Sequence, residues 1–315
     1  HMVHLGSRAS GGAGLVIMEA TGVSPEGRIT PGCTGLWSQE QAQKLKPIVQ
    51  FVHSQKSAIA VQIAHAGRKA SCHLPWESGK PLSPQDGAWQ TLGPSAVAFG
   101  HYPVPKEMTE QDIQMVTEQF LNSTKLALEA GFDVVELHMA HGYLMHEFLS
   151  PLSNFRKDSY GGSLENRMRF PLEAAKKVRA IWPKEKPLFV RISASDWKEG
   201  GWDIDQSVVF CKELKKIGVD FIDCSSGGNV HDAKIPLEAG YQVPFAEKIR
   251  RQADILTGAV GLITDAQQAE NILQEGKADA VLLARALLSD PYWPIHAAKK
   301  LDAPIEVPNQ YLRAF

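Results

Sequence analysis

Two histidines and a tyrosine stand within six residues in His138-Met139-Ala140-His141-Gly142-Tyr143, directly after the apolar run 134–137. An imidazole N–H can polarise a carbonyl or nitro oxygen, and a phenol can deliver a proton. Side by side, these groups suit a reaction in which charge builds on a substrate oxygen. Two other roles stay open from the residues alone. A histidine on a strand is often a hydrogen-bonded structural group. A metal ion would need further ligands that the neighbourhood does not supply, since Glu147 is expected on the following helix.

Such residues act only if a scaffold aims them. Short apolar or β-branched runs at 15–20, 58–64, 134–138, 188–193, 221–224, 255–260 and 280–283 alternate with segments of helical period at 39–53, 110–130, 164–181, 206–217, 266–274 and 292–300. This is the pattern of βα units in a parallel sheet. It predicts one α/β domain over 1–315, a (β/α)₈ TIM barrel, whose active site lies at the C-terminal ends of the strands. His138 falls at such an end. Residues 3–9 read as the end of a helix with no strand of its own before it, so only seven strands are counted. Seven do not close in eight-fold geometry, because strand number, tilt and shear are linked. The first strand is therefore expected either to precede His1 or to be absent from the polypeptide. The interruption 68–107, with Trp76, Trp89 and six prolines, is expected to be a lid or hairpin region at the barrel mouth, and 304–315 a C-terminal tail. Gly11-Gly12-Ala13-Gly14 lies between a helix and a strand, the reverse of the dinucleotide-binding order, and reads as a turn.

Composition narrows the partners. With 43% hydrophobic and 22% charged residues, the 315-residue chain can build an extensive core. A formal net charge of −2 gives no long-range attraction to nucleic acid. Cys33, Cys72, Cys211 and Cys224 form no C-x-x-C cluster and read as unpaired thiols of a reducing cytoplasm. No apolar run is long enough for a membrane helix, and the first 15 residues lack a signal-peptide core.

The chemistry-bearing stretch continues as His141-Gly142-Tyr143-Leu144-Met145-His146-Glu147-Phe148-Leu149-Ser150-Pro151, then Asn154, then Asp158-Ser159-Tyr160-Gly161-Gly162-Ser163-Leu164-Glu165-Asn166-Arg167. With Val61-Gln62-Ile63-Ala64-His65-Ala66-Gly67-Arg68-Lys69, Val190-Arg191-Ile192-Ser193 and Gly258-Ala259-Val260-Gly261, it resembles the Old Yellow Enzyme family of FMN-dependent ene-reductases. The ending Gln310-Tyr311-Leu312-Arg313 is similar to the thermophilic-like bacterial subgroup.

The resemblance implies FMN across the barrel mouth and hydride supplied by NADPH or NADH. It implies reduction of activated C=C bonds in enones, enals, maleimides or nitroalkenes. Gln62 would meet the pyrimidine edge of the flavin, and Arg191 would place a permanent positive charge near N1 and O2. A buried ion pair with a carboxylate is the competing role for Arg191. Ala20 matches a small residue beside the cofactor. Gly261 and Ala284-Arg285 would serve the phosphate. Ala284 departs from the family's Gly-Arg but keeps its backbone N–H. His138 and His141 would hold the activating oxygen, with Tyr143 protonating the α-carbon. Arg313 would reach a neighbour's site in a homodimer or homotetramer. The subgroup's first-strand Cys and Tyr have no counterpart in the sequence, and Cys33 does not replace that Cys. The leading alternative is a catalytically silent flavin-barrel fragment. A phosphate-binding aldolase or isomerase barrel would need a lysine or carboxylate base at a strand end, and no lysine stands out there.

Overall fold

The computed structural model describes residues 1–314. Among the described residues nine strands occur: β1 (Leu15–Gly22), β2 (Ala58–Ala64), β3 (Leu92–Gly93), β4 (Lys106–Glu107), β5 (Val134–Met139), β6 (Leu188–Ser193), β7 (Phe221–Ser225), β8 (Leu256–Ala259) and β9 (Ala280–Val281). Seven form one wholly parallel sheet in the order β1-β2-β5-β6-β7-β8-β9. Every residue of β5 is buried, as expected of a strand covered on both faces. Side chains from β1 and β9, the two ends of the sheet, line a common cavity with those of β2, β5, β6 and β7. The sheet is therefore curled as an incomplete TIM barrel. Among the described residues no strand pairs with the outer edge of β1 or β9.

Helices on the outside hold the curl, and the sequence specifies their ends. Thr109 opens the helix Glu110–Ala130: its Oγ1 accepts from the Asp112 N–H at 3.1 Å, and Asp112 Oδ2 accepts from the Thr109 N–H at 2.9 Å. Such a reciprocal cap contributes about 1 kcal/mol. Gly131, at φ +91, ends the same helix. Ile113, Val116, Phe120 and Ala127 form its buried stripe. The helix Met2–Ser10 precedes β1, and residues 11–14 make the turn between them.

Two further helices stand near the site: Leu144–Leu149, which carries Glu147 as expected, and Val243–Ala253, which the sequence reading did not include. The second buries Val243, Ala246, Ile249 and Ala253, but Glu247, Lys248, Arg250 and Arg251 interrupt that stripe in sequence. The ends of the sheet also differ: β1 runs on to Gly22, and β9 stops at Val281.

In the 68–107 segment, the Leu82 N–H donates to Ser71 O at 2.8 Å and the His73 N–H to Lys80 O at 2.9 Å, around an antiparallel bridge between Cys72 and Pro81. Further on, β3 and β4 pair in parallel. Trp89 Nε1 donates to Glu26 O at 2.9 Å, tying the segment to the loop after β1, and within the segment Arg68 Nη1 donates to Val97 O at 3.2 Å. The tail lies at the opposite end of the strands. Lys56 pairs with Glu306 at 2.8 Å, and residues 305–310 share a small cavity with residues 12–14 and 54–56, which precede β1 and β2.

Candidate active site

Register brings the inward-facing side chains of neighbouring strands into layers. Gln62 is aligned with Glu136, His138 with Arg191, and Arg191 with Asp223. Just beyond β5 the chain turns sharply through His141 (φ +60) and Gly142 (φ +70). A Cβ on Gly142 would lie 2.2 Å from the carbonyl oxygen of Gly228, so the turn admits only glycine. The turn folds His141 and Tyr143 back over His138, with ring centroids 5.2 Å and 5.3 Å from that of His138.

The turn is held from several sides. The His141 N–H donates to Ser193 Oγ at 2.8 Å, and the Gly142 N–H donates to His146 Nδ1 at 2.9 Å. His141 Nε2 lies 2.7 Å from Ser225 Oγ. Lys69 Nζ donates to the carbonyls of His141 (2.8 Å) and Gly228 (2.9 Å) and sits 5.1 Å from the Tyr143 ring centroid. Burial lowers the Lys69 pKa to about 8. Burial, reinforced by the Arg191 charge, holds His138 and His141 well below the ordinary histidine value, so both rings are neutral near pH 7. Burial raises the Tyr143 hydroxyl, which stays protonated. His138 Nδ1 is buried with no partner among the described residues. These are two neutral imidazoles beside a phenol that keeps its proton.

Next to them opens a cavity of about 690 Å³, lined among others by Ala20, Gln62, Glu136, Arg191, Asp223 and Ala284. Arg191 Nε is 3.0 Å from Asp223 Oδ2, so the carboxylate contact weighed from the sequence exists. No other carboxylate pairs with Arg191 among the described residues, and its side chain remains 24% exposed, toward the cavity. Gln62 Nε2 donates to Glu136 Oε1 at 2.7 Å. These polar groups, with His4, Arg8 and Glu19 from the first helix and β1, stand in an otherwise largely aliphatic and aromatic lining that includes Val16, Met18, Phe189, Phe221 and Val260. A flat ring system whose polar edge meets the Gln62 amide and the Arg191 guanidinium fits that chemistry, and the residues present are therefore compatible with the flavin of FMN.

The remaining predicted residues are dispersed. Gly261, at φ +118, packs against Gln242 and Tyr241, where a Cβ would meet side-chain atoms at 2.7 Å and 2.9 Å. Ala284 lines the cavity, and Arg285 begins the short helix Arg285–Ser289. Arg313 is exposed in the 3₁₀ segment Asn309–Ala314 of the tail, whose neighbouring residues 305–310 share a cavity with the residues that precede β1 and β2. Sequence reasoning missed Lys69, Ser225, Glu136 and Asp223. The last two carry a visible signal, a single acid inside an apolar strand; Ser225 carries none. Among the described residues no cluster of three or more His, Cys, Asp or Glu is arranged to hold a metal ion, and no helix is long and apolar enough to cross a membrane.

Residues 1–303 match the NADH:flavin oxidoreductase / NADH oxidase family. The chain is 48% identical over 316 residues to the NADPH dehydrogenase of Bacillus subtilis, covering all of this chain and 88% of that protein. Among solved structures it is similar to morphinone reductase in complex with tetrahydroNAD (27% identity, TM-score 0.78, 98% of this chain and 83% of that one). It is also similar to the Old Yellow Enzyme homologue from Zymomonas mobilis (28% identity, TM-score 0.78, 97% of this chain and 84% of that one). The layered strand ends, the polar-edged cavity and these likenesses agree: the chain belongs to the NADH:flavin oxidoreductase / NADH oxidase family and is an NAD(P)H-dependent, FMN-containing oxidoreductase of the Old Yellow Enzyme type.

Proposed function

We propose that this chain reduces C=C bonds activated by a carbonyl or nitro group, as in enones, enals, maleimides and nitroalkenes. The observation that carries the proposal is the grouping of neutral His138 and His141 with protonated Tyr143 at one strand end, aligned with Arg191 on the next strand. Hydride transfer is the chemistry that FMN supplies when bound. Gln62 and Arg191 would hold its polar ring edge beside the small Ala20, and the backbone at Gly261 and Ala284, with Arg285, would hold its phosphate. Imidazole N–H groups of His138 and His141 bind the substrate oxygen and stabilise the negative charge that grows there. Tyr143 delivers its proton to the α-carbon. Lys69 holds the turn that carries both donors.

Arg313 is proposed to contribute to the substrate site of a second copy, in a homodimer or homotetramer. The four free thiols, Cys33, Cys72, Cys211 and Cys224, support a cytoplasmic location.

The test is turnover of a cyclic enone by FMN-loaded protein with NADPH, with the saturated ketone measured as product. His138→Ala and His141→Ala should each lower kcat by about 10²–10³-fold, the usual loss of one charge-stabilising donor, while FMN binding persists. Near-normal reduction by the double variant would reject the assignment.

A further inference from the structure

Two buried acids are not used by the proposed chemistry. Glu136 is 0% and Asp223 1% exposed, and both line the cavity from strands that flank Arg191's own strand. Each touches one of the two side chains expected to meet the flavin: Gln62 Nε2 donates to Glu136 Oε1 at 2.7 Å, and Arg191 Nε lies 3.0 Å from Asp223 Oδ2. Each also keeps one oxygen without a partner among the described residues, Glu136 Oε2 and Asp223 Oδ1.

We propose that Glu136 and Asp223 are positioning residues for cofactor binding, with Glu136 setting the orientation of the Gln62 amide and Asp223 anchoring the Arg191 guanidinium. This rests on the assignment of the cavity to FMN.

The chemistry follows from donor and acceptor counts. A glutamine amide can flip, exchanging its oxygen and its NH₂. An acceptor at Glu136 Oε1 fixes the NH₂ end, so Gln62 offers its own oxygen and its second N–H for a ligand. Asp223 holds Arg191 as an ion pair, with Oδ2 3.0 Å from Nε but off the N–H direction, and leaves the N–H groups of Arg191 free for a ligand.

Charge decides how the two acids coexist. Glu136 is faced by Gln62 from β2, Arg191 from β6, Asp223 from β7 and His138 on its own strand. Burial raises both acids, Glu136 to about 8 with the help of the nearby Asp223 charge, while the Arg191 charge opposes the rise in each. Asp223, in contact with the guanidinium, is the acid that Arg191 favours for the negative charge, and a proton held by Glu136 sits on Oε2, leaving Oε1 the acceptor for Gln62. Arg191 and Asp223 then cancel. Ionising Glu136 at higher pH would put a second negative charge beside Arg191 and weaken its hold on an acceptor-rich ring edge.

The test is FMN affinity, measured by quenching of flavin fluorescence on the refolded or flavin-stripped chain. Glu136→Leu removes the acceptor and should weaken FMN binding by about tenfold, the worth of one good hydrogen bond. Gln62→Leu should abolish that effect, so the Glu136→Leu/Gln62→Leu double variant binds no more weakly than Gln62→Leu alone. Asp223→Asn and Arg191→Met should behave in the same way.

Glu136→Gln keeps an acceptor, so it should bind as the unsubstituted chain does well below the Glu136 value of about 8. Well above it, the unsubstituted chain should lose affinity and Glu136→Gln should not. Additive losses in both pairs, or the same pH profile with and without Glu136→Gln, would overturn the inference while leaving FMN binding intact. Failure of the unsubstituted chain to bind FMN at all would instead overturn the proposed function, and this inference with it.

Discussion

Glu147 offers the sharpest stability test, because it is a buried carboxyl with a single satisfied oxygen. Its Oε1 accepts from the Arg68 N–H at 2.9 Å, and its Oε2 has no partner among the described residues. The site is close-fitting: a Cβ on Gly67 would fall 2.0 Å from Oε1, and one on Gly93 would fall 3.1 Å from Oε2. Burial lifts the carboxyl from the ordinary 4.5 to about 8 against the opposing pull of Arg68 and Lys69. The folded-state pKa is raised, so Glu147's contribution to stability is fully present below 4.5 and is lost as pH rises through about 8. At about pH 7 the unfolded chain ionises this group freely and the folded chain does not.

Glu147→Gln removes that titration, keeps the shape and keeps an acceptor for Arg68. The amide's unpartnered NH₂ replaces an equally unpartnered acid hydroxyl. About 2.5 pH units separate 4.5 from about pH 7, each worth about 1.4 kcal/mol. The variant should therefore be more stable by about 3 kcal/mol at about pH 7 and nearly equal at about pH 4.5. Urea unfolding at both pH values measures this directly. A difference that does not change with pH, or a destabilised variant at about pH 7, would show that Glu147 is ionised in the fold and paired with Arg68 and Lys69.

Three further outcomes are expected. Gly142→Ala should abolish alkene reduction by displacing the turn, since its Cβ would meet Gly228 O at 2.2 Å; retained activity with an unchanged fold would refute the steric reasoning. Lys69→Met should release the carbonyls of His141 and Gly228 and lower kcat for alkene reduction by about tenfold, about one charge-assisted hydrogen bond, with FMN affinity unchanged; unchanged kcat would remove Lys69 from the support of the turn. Deleting residues 310–315 should raise KM for the alkene without unfolding the barrel, and unchanged kinetics and oligomer mass would remove Arg313 from any substrate site.

What the sequence made legible was whatever is local. The turn from His138 to Tyr143 spans six residues, so residue types alone announced its chemistry, and the apolar runs marked all seven strands of the large sheet. Contacts between distant segments were not legible. Lys69 reaches His141 across 72 positions and Ser225 reaches it across 84, and neither pairing leaves a periodic trace.

Glu136 and Asp223 fall between these cases. Each appears in sequence as an acid inside an apolar strand, where an isolated charge would be costly to bury. Only lateral register reveals its partner, Gln62 opposite Glu136 and Arg191 opposite Asp223. Strand ends follow the same logic. β9, hydrogen-bonded to a neighbour on one side only, stops at Val281 although the apolar run continues to Leu283, whereas β1, at the other end of the sheet, runs past its expected end to Gly22, which pairs with Ala64 of β2 and also bridges Gly35. A strand's length is set as much by its neighbours' hydrogen bonds as by its own side chains. For the same reason the acids behind Gln62 and Arg191 become functional candidates only once the strands stand side by side.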